Sequence, residues 1–555
     1  MATIRKSKVD KYTYWQIVES KRVNGKPRPV VLMHLGTAEQ LLYKLKEGPI
    51  LKKISSASHG AVELFFQTAK DLDLVNTFNS VFSSQVRNEL TVGESLLVAA
   101  IHRAIKPDSK RSFAKWAKQT TLPAMITFNP DKLDSQHFWD QMETVTEEQL
   151  RDAEHAITLK LIDKGLVSTK LLFYDLTNFF THIATDNNSS VLAKRGRNKQ
   201  KRHDLRQFGL TQVVTREFLI PVFSDIYEGN KTDKELFAPF LTKVRKKLSE
   251  LNLEIEEFTV VFDKGSNSKT NFAKLDTSEI PYVASLTPGY HEDLLNVPLP
   301  LYKTVEINGK KTLCYRTQKE VWGRDRTIVV YISDKLRRGQ IQGLKQALSK
   351  KYKQLEELKS KLNAPRARKR NRANLEAQIK DILTGERCNQ ILDVNIADIG
   401  EGRFDIEWEI NTDAYQWVTE NLYGKRILVT CRKDWPEEEI IAAYHGQSNV
   451  ERVFKHLKNP YHNSVCPQYH WTDQKIKVHT FICLIGLLLS QILWKQAREA
   501  GYALSMENLI DTLTQVRMAD VVILTGLKSK PVKESRLEDM EPELQMLYES
   551  LQKQG

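Results

Sequence analysis

Two short apolar runs, each closed by a lone aspartate, constrain this chain more than any other feature: KLLFYD at 170–175 and FTVVFD at 258–263. Between them lie strand-like GLTQVVTRE (209–217) and FLIPVFSDIY (218–227), then an amphipathic stretch over about 233–250; YVASLT (282–287) follows the second run. Apolar runs of this length bounded by turn residues read as buried strands. Strands separated by a helical segment read as an α/β sheet. In such sheets functional groups gather beyond the carboxyl ends of the strands. Two ends side by side would bring Asp175 and Asp263 within reach of one hard cation. An aspartate there is also a common turn starter, so the pair says more than either member.

A third element is AAYHGQSNVERVFKHLKN (442–459), expected within one long helix from about Pro436 to Lys458. Tyr444, Glu451 and Lys458 are spaced by seven, and Gln447 precedes Glu451 by four. Helical periodicity then predicts a phenol, an amide, a carboxylate and an ammonium on one face. Val450, Phe454 and Leu457 supply an apolar stripe beside it. Such a polar face is either a solvated surface or a set fit for metal-assisted phosphodiester chemistry. In the second case the carboxylate holds the ion, and the cation and hydroxyl hold phosphate oxygens.

Charge narrows the partner. Lys and Arg total 83 against 69 Asp and Glu, a net +14. That excess points to a polyanion, usually nucleic acid, or to a merely basic surface. It concentrates in AKRGRNKQKRHDLRQ (193–207), where Lys194, Arg195, Arg197, Lys199, Lys201 and Arg202 are expected to meet the DNA backbone; a solvated loop is the plain alternative. A second cluster comprises Arg366, Arg368, Lys369, Arg370 and Arg372. The five cysteines are scattered and form no CxxC pair, which argues against a zinc site or disulfide framework and fits a reducing cytosol. The N-terminus has no apolar leader core. The longest apolar run, 481–494, is interrupted by Ser490 and Gln491 and reads as a buried helix, not a bilayer span. His470, Trp471 and His479 read as structural residues at a helix start, not as metal ligands.

The expected organisation is a β-hairpin element over 1–54, with Asn24-Gly25 as its turn, and a helical domain over 55–165, expected to bind DNA, with a plain helical packing domain as the alternative. A catalytic core follows in two parts, 166–290 and 426–500, separated by a mixed strand and helix insertion over 291–425. Residues 501–555 are expected to be helical.

Further words in the chain are YDLTNFF (174–180), EGNKTD (228–233), VFDKG (261–265), LKNP (457–460), YHWTDQKIKVH (469–479) and SLLVAAIHRAIKPDSKRSFAKW (95–116). With the two aspartate runs and the Tyr444–Glu451–Lys458 spacing, the chain resembles the DDE transposases of bacterial insertion sequences. The branch it resembles is named for a Tyr-x2-Arg-x3-Glu-x6-Lys helix. Gln447 stands where that pattern has Arg, and being neutral it cannot form a charged bidentate contact with phosphate.

The resemblance implies an α/β, RNase H-like mixed sheet flanked by helices, with Asp175 on its first strand beside Asp263 on its fourth and Glu451 supplied by the late helix. These three carboxylates would be the catalytic residues and the ligands of Mg²⁺, with Mn²⁺ as a substitute. Tyr444, Gln447 and Lys458 would contact DNA. The implied activity is binding of terminal inverted repeats in double-stranded DNA, pairing of two ends by a homodimer, and metal-dependent cleavage and strand transfer into a target. The setting would be the bacterial cytoplasm, at the nucleoid. The alternatives are an RNase H-like nuclease that cuts without joining, and a catalytically silent DNA-binding derivative.

Overall fold

The computed structural model describes residues 2–23, 26–46, 50–184, 186–198, 200–251, 254, 257–365, 368–400, 402–524 and 531–553. The Asn24-Gly25 turn, Lys199 and Arg366 lie outside the described residues. The chain divides into two compact units: Met1–Leu166 with His182–Ser190 and Lys455–Gly555, and Val167–Thr181 with Val191–Phe454.

The first unit is built around the helix Asp473–Glu499. Length and composition would let it cross a membrane, yet 94% of its most apolar window is buried inside the protein, as a core helix requires. Val92–Ile105 packs along it and is buried over nearly its whole length. That helix starts at a capping box in which the Thr91 hydroxyl and the Glu94 carboxylate satisfy each other's backbone N–H groups. At the N-terminus, Tyr12–Val23 pairs antiparallel with Lys26–Gly36, as the hairpin signal predicts, and Ala2–Val9 adds a third strand. The end of the chain is not helical throughout. Arg517–Leu524 and Val532–Leu537 form a sheet with Ile50–Ser58, because MADVVIL carries a run of β-branched residues that favours a strand.

The second unit holds, among the described residues, a nine-stranded sheet. Its order across the sheet is Lys303–Ile307, Lys310–Val321, Arg324–Ile332, Lys425–Thr430, Tyr282–Ser285, Thr259–Phe262, Leu171–Thr181, Arg206–Thr215 and Pro221–Glu228. Leu171–Thr181, Thr259–Phe262 and Tyr282–Ser285 run parallel; the other pairings are antiparallel. The segment 291–425, expected as an insertion, therefore extends the main sheet with three strands before it adds the helix Asp334–Leu362 and the hairpin Leu392–Gly400/Arg403–Ile410. Arg326 anchors that extension: buried, it forms a two-pronged ion pair with Asp276 (2.9 and 2.8 Å).

The alternation of the Asp175 strand sorts its neighbours. Tyr174 points to the helix Asp233–Glu250, stacking at 4.0 Å from Phe240 and meeting Phe237 at 5.3 Å. Phe173, one residue earlier, points to the opposite face and lies under the helix Glu437–Gln447. The close approach there depends on Gly446, since a Cβ at that position would fall 2.2 Å from Phe173 Cζ.

Candidate active site

Parallel pairing makes the two aspartate-bearing segments neighbours. Leu171 pairs with Thr259, Leu172 with Val260 and Phe173 with Val261. Extending that register by two residues would set Asp175 level with Asp263; Asp263 directly follows its strand as expected, but Asp175 lies inside Leu171–Thr181, which runs on past it against Arg206–Thr215. Adjacent strands lie roughly 4.8 Å apart, which suits two carboxylates sharing one cation. Asp263 is exposed and starts the short turn Lys264–Ser266. Its Oδ1 accepts from Ser285 Oγ (3.0 Å) and Tyr444 Oη (3.1 Å). Among the described residues no donor reaches Oδ2, so one oxygen is held by hydroxyls and the other is open. Asp175 is half-buried, and its Oδ1 accepts from the backbone N–H of Leu176 (2.8 Å).

Tyr444 is the positioning group on the covering helix. It is 6% exposed, and Arg426 lies against its ring (5.9 Å) with Nη1 at 3.5 Å from Oη. Burial first, then the Asp263 charge, pushes the phenol up to about 12. The hydroxyl therefore stays protonated and donates. Ser285 and Arg426 were not singled out from the sequence, although each sits in a strand-like run, YVASLT and RILVTC, as the aspartates do.

The expected single helix over 436–458 is two helices. Glu437–Gln447 ends in a turn at Ser448 and Asn449, and Val450–Lys458 begins after it. Ser and Asn compete with helical hydrogen bonding through their own side chains, and here they fall together. The four polar residues consequently do not share one exposed face. Tyr444 and Gln447 are buried on the sheet side, while Glu451 and Lys458 are exposed. Val450, Phe454 and Leu457 are buried as the stripe predicts, with Val453 added. Lys458 belongs to the first unit and Glu451 to the second.

A divalent ion fits the donor set in part. The aspartates are hard oxygen donors, and Asp263 keeps one oxygen that no donor among the described residues reaches. Among the described residues, however, no group of three or more His, Cys, Asp or Glu converges closely enough to hold a metal, so Glu451 is not gathered with them in this structure.

The basic stretch is on the surface of the second unit, and its cations differ. Lys194 pairs with Glu228 (2.5 Å), and Arg202 forms a two-pronged pair with Asp204 (2.8 and 2.7 Å). Arg195, Arg197 and Lys201 are exposed and make no ion pair among the described residues. In the second cluster Arg372 pairs with Glu376 (3.0 Å) and Arg370 Nη1 donates to Gln378 (2.9 Å). All five cysteines are free thiols.

A mixed sheet flanked by helices frames these residues, and comparison with known families gives the class. Residues 177–467, just over half of the chain, match the family described as the transposase DDE domain, and the chain belongs to that family. The match takes in Asp263, Tyr444, Gln447, Glu451 and Lys458; Asp175 lies two residues before it. Residues 2–47 match the N-terminal domain of the IS1634 family transposases, which makes this chain a DDE transposase of an insertion sequence. No curated protein matches. Among solved structures, a cryo-EM structure of a piggyBac transposase synaptic complex with hairpin DNA is similar at 9% identity and a TM-score of 0.36, over 82% of this chain and 78% of that one. A likeness that loose carries no argument here.

Proposed function

We propose that this transposase binds the terminal inverted repeats of its element and carries out divalent-metal-dependent DNA cleavage and strand transfer, on an RNase H-like core. The observation that carries the reading is the parallel pairing of Leu171–Phe173 with Thr259–Val261, which puts Asp175 and Asp263 each two residues beyond the last pair on neighbouring segments. The strand order from Pro221–Glu228 to Tyr282–Ser285, an antiparallel three-strand meander whose first strand is followed on its other side by two successive parallel strands, supports the core assignment.

Asp175, Asp263 and Glu451 are the residues that would hold Mg²⁺ or Mn²⁺. When bound, such ions activate the attacking oxygen and stabilise the leaving one. The chain's own residues do the rest. Tyr444 and Ser285 fix the Asp263 carboxylate by donating to one oxygen and leaving the other free. Arg195, Arg197 and Lys201, which make no ion pair among the described residues, offer cations to the phosphate backbone, with Lys194, Arg202 and Lys458; Lys199, in the same stretch of sequence, is assigned the same role. Gln447, in the Arg position of the Tyr-Arg-Glu-Lys branch, is buried, and its role is to seat the covering helix. The protein works as a homodimer on two ends, in the cytosol at nucleoid DNA.

The test is to incubate the purified protein and Mg²⁺ with the DNA flanking its own gene and map the nicks. Joining of pre-cleaved ends to a target separates a transposase from a nuclease that only cuts. Absence of metal-dependent nicking at the element's ends would overturn the reading.

A further inference from the structure

The first unit contains a cavity of about 330 Å³ whose lining includes Arg103, Lys110, Arg111, Trp139, His470 and His479. Its charge balance is unusual. The Lys110 ammonium reaches only the Nε2 of His470 (3.2 Å), and among the described residues no carboxylate pairs with it. His470 uses its other nitrogen, Nδ1, on Gln468 Oε1 (2.5 Å), so Nε2 is the acceptor and the ring is neutral. Arg103 is buried and spends both Nη groups on the carbonyls of Asp108, Ser464 and Cys466, but its Nε–H has no partner. His479, also buried, is engaged at Nε2 by the Val465 carbonyl (3.1 Å) and unpartnered at Nδ1. Arg111 is exposed and makes no ion pair among the described residues.

The acids nearby do not cancel this excess. Asp108 also lines the cavity, and its carboxylate faces Lys106 (3.9 Å). Glu143 is taken by Lys475. Burial first, reinforced by the Arg103 charge, pushes Lys110 down to about 7. An ammonium in this position lacks a counter-ion, and leaving a buried charge unpaired is costly. An anion in the cavity would supply one. Trp139, stacked against His470 (6.2 Å) and Trp471 (5.8 Å), walls the site with aromatic surface.

We propose that this cavity binds a phosphate group, with Lys110 and Arg111 as its counter-charges. The phosphate is either that of a DNA strand or free phosphate. The DNA source rests on the proposed function above; the phosphate chemistry does not.

The test uses the full chain with two probes. The first is thermal melting in sodium phosphate against sodium chloride at matched ionic strength. The second is binding of a short single-stranded oligonucleotide with and without a 5′-phosphate. The expected result is a higher melting temperature in phosphate, or about tenfold or more tighter binding of the phosphorylated strand, as a charge-assisted hydrogen bond supplies. Lys110→Met should abolish the effect, and Arg111→Gln, at an exposed position that does not bear on folding, should weaken it. A melting shift without discrimination between the oligonucleotides assigns the site to free phosphate; discrimination assigns it to a DNA strand. If neither probe responds, or Lys110→Met and Arg111→Gln respond as wild type does, the proposal is overturned. Metal-dependent nicking by the same preparation reports on the catalytic assignment separately.

Discussion

Gly446→Ala tests the link between packing and the active site. The added Cβ would sit 2.2 Å from Phe173 Cζ and 3.0 Å from each Cε. Carbon atoms attract from roughly 3.5 Å outward, so either the ring turns or the helix Glu437–Gln447 withdraws by about 1 Å. Tyr444 rides on that helix, and its hydroxyl is already 3.1 Å from Asp263 Oδ1. A retreat on this scale breaks the hydrogen bond. Overpacking costs about 1–3 kcal/mol, and Ala recovers about 1 kcal/mol over Gly in a helix. The net expectation is up to about 2 kcal/mol of destabilisation, a melting temperature lower by a few degrees. Cleavage should fall further than stability, because a misplacement of about 1 Å near reacting groups can cost on the order of a hundredfold. Phe173→Leu in the same chain should restore room and recover both. Circular dichroism melts and Mg²⁺-dependent nicking are the assays. If Gly446→Ala melts at or above wild type and cleaves normally, the helix seat does not govern Asp263.

Asp175→Asn, Asp263→Asn or Glu451→Gln should each abolish nicking and joining while end binding stays within a few-fold; near-wild-type cleavage by any of them removes that residue from the catalytic set. Replacing Arg195, Arg197 and Lys201 together by Gln should weaken binding to all DNA alike and flatten the slope of log K against log salt by about 0.9 per lost phosphate contact; an unchanged slope leaves the segment merely solvated. Asp276→Ala strands the buried Arg326 guanidinium and should cost about 3–5 kcal/mol, most of it regained in the Asp276→Ala/Arg326→Met pair; a single variant as stable as wild type would contradict the ion pair's role. Burial holds His102 and His137 down to about 3 and about 4, below the ordinary 6.5, so the unfolded chain takes up protons first. Their stabilisation is complete above about pH 6.5 and drains as pH falls toward 4, by up to about 1.4 kcal/mol per pH unit for each. Acid titrations of stability should show a shallower slope for His102→Leu, and an equal slope refutes the assignment.

Local signals were legible where the chemistry is local. Asn24-Gly25 announces the antiparallel pairing of the strands on either side, whereas of the two aspartates expected to close strands only Asp263 does so, and Asp175 lies inside Leu171–Thr181 because that strand runs on against Arg206–Thr215. What the sequence did not disclose is decided by partners distant in the chain. Nothing in residues 303–332 says that these strands lengthen the main sheet through Lys425–Thr430, or that Arg517–Leu524 returns to Ile50–Ser58. The late helix failed for a different reason. A spacing of seven assumes an unbroken helix, whereas Ser448-Asn449 ends it, and burial of Tyr444 against the sheet reassigns that phenol from a DNA contact to the support of a carboxylate.

That break also separates two duties that a single helix would have tied together. Tyr444 and Gln447 belong to a helix pinned to the sheet by the contact of Gly446 with Phe173, and the position of Asp263 Oδ1 depends on it. Glu451 belongs to the next helix, held by Val450, Val453, Phe454 and Leu457 and exposed at the carboxylate itself. Asp175 is carried within a strand of the sheet and Asp263 directly after one, with Tyr444 and Ser285 donating to it. The third carboxylate is fixed only by how its own short helix packs. Changes along the Val450–Leu457 stripe should accordingly alter chemistry without touching the Asp175–Asp263 pair, whereas changes at Phe173 or Gly446 reach both aspartates through the strand and the covering helix.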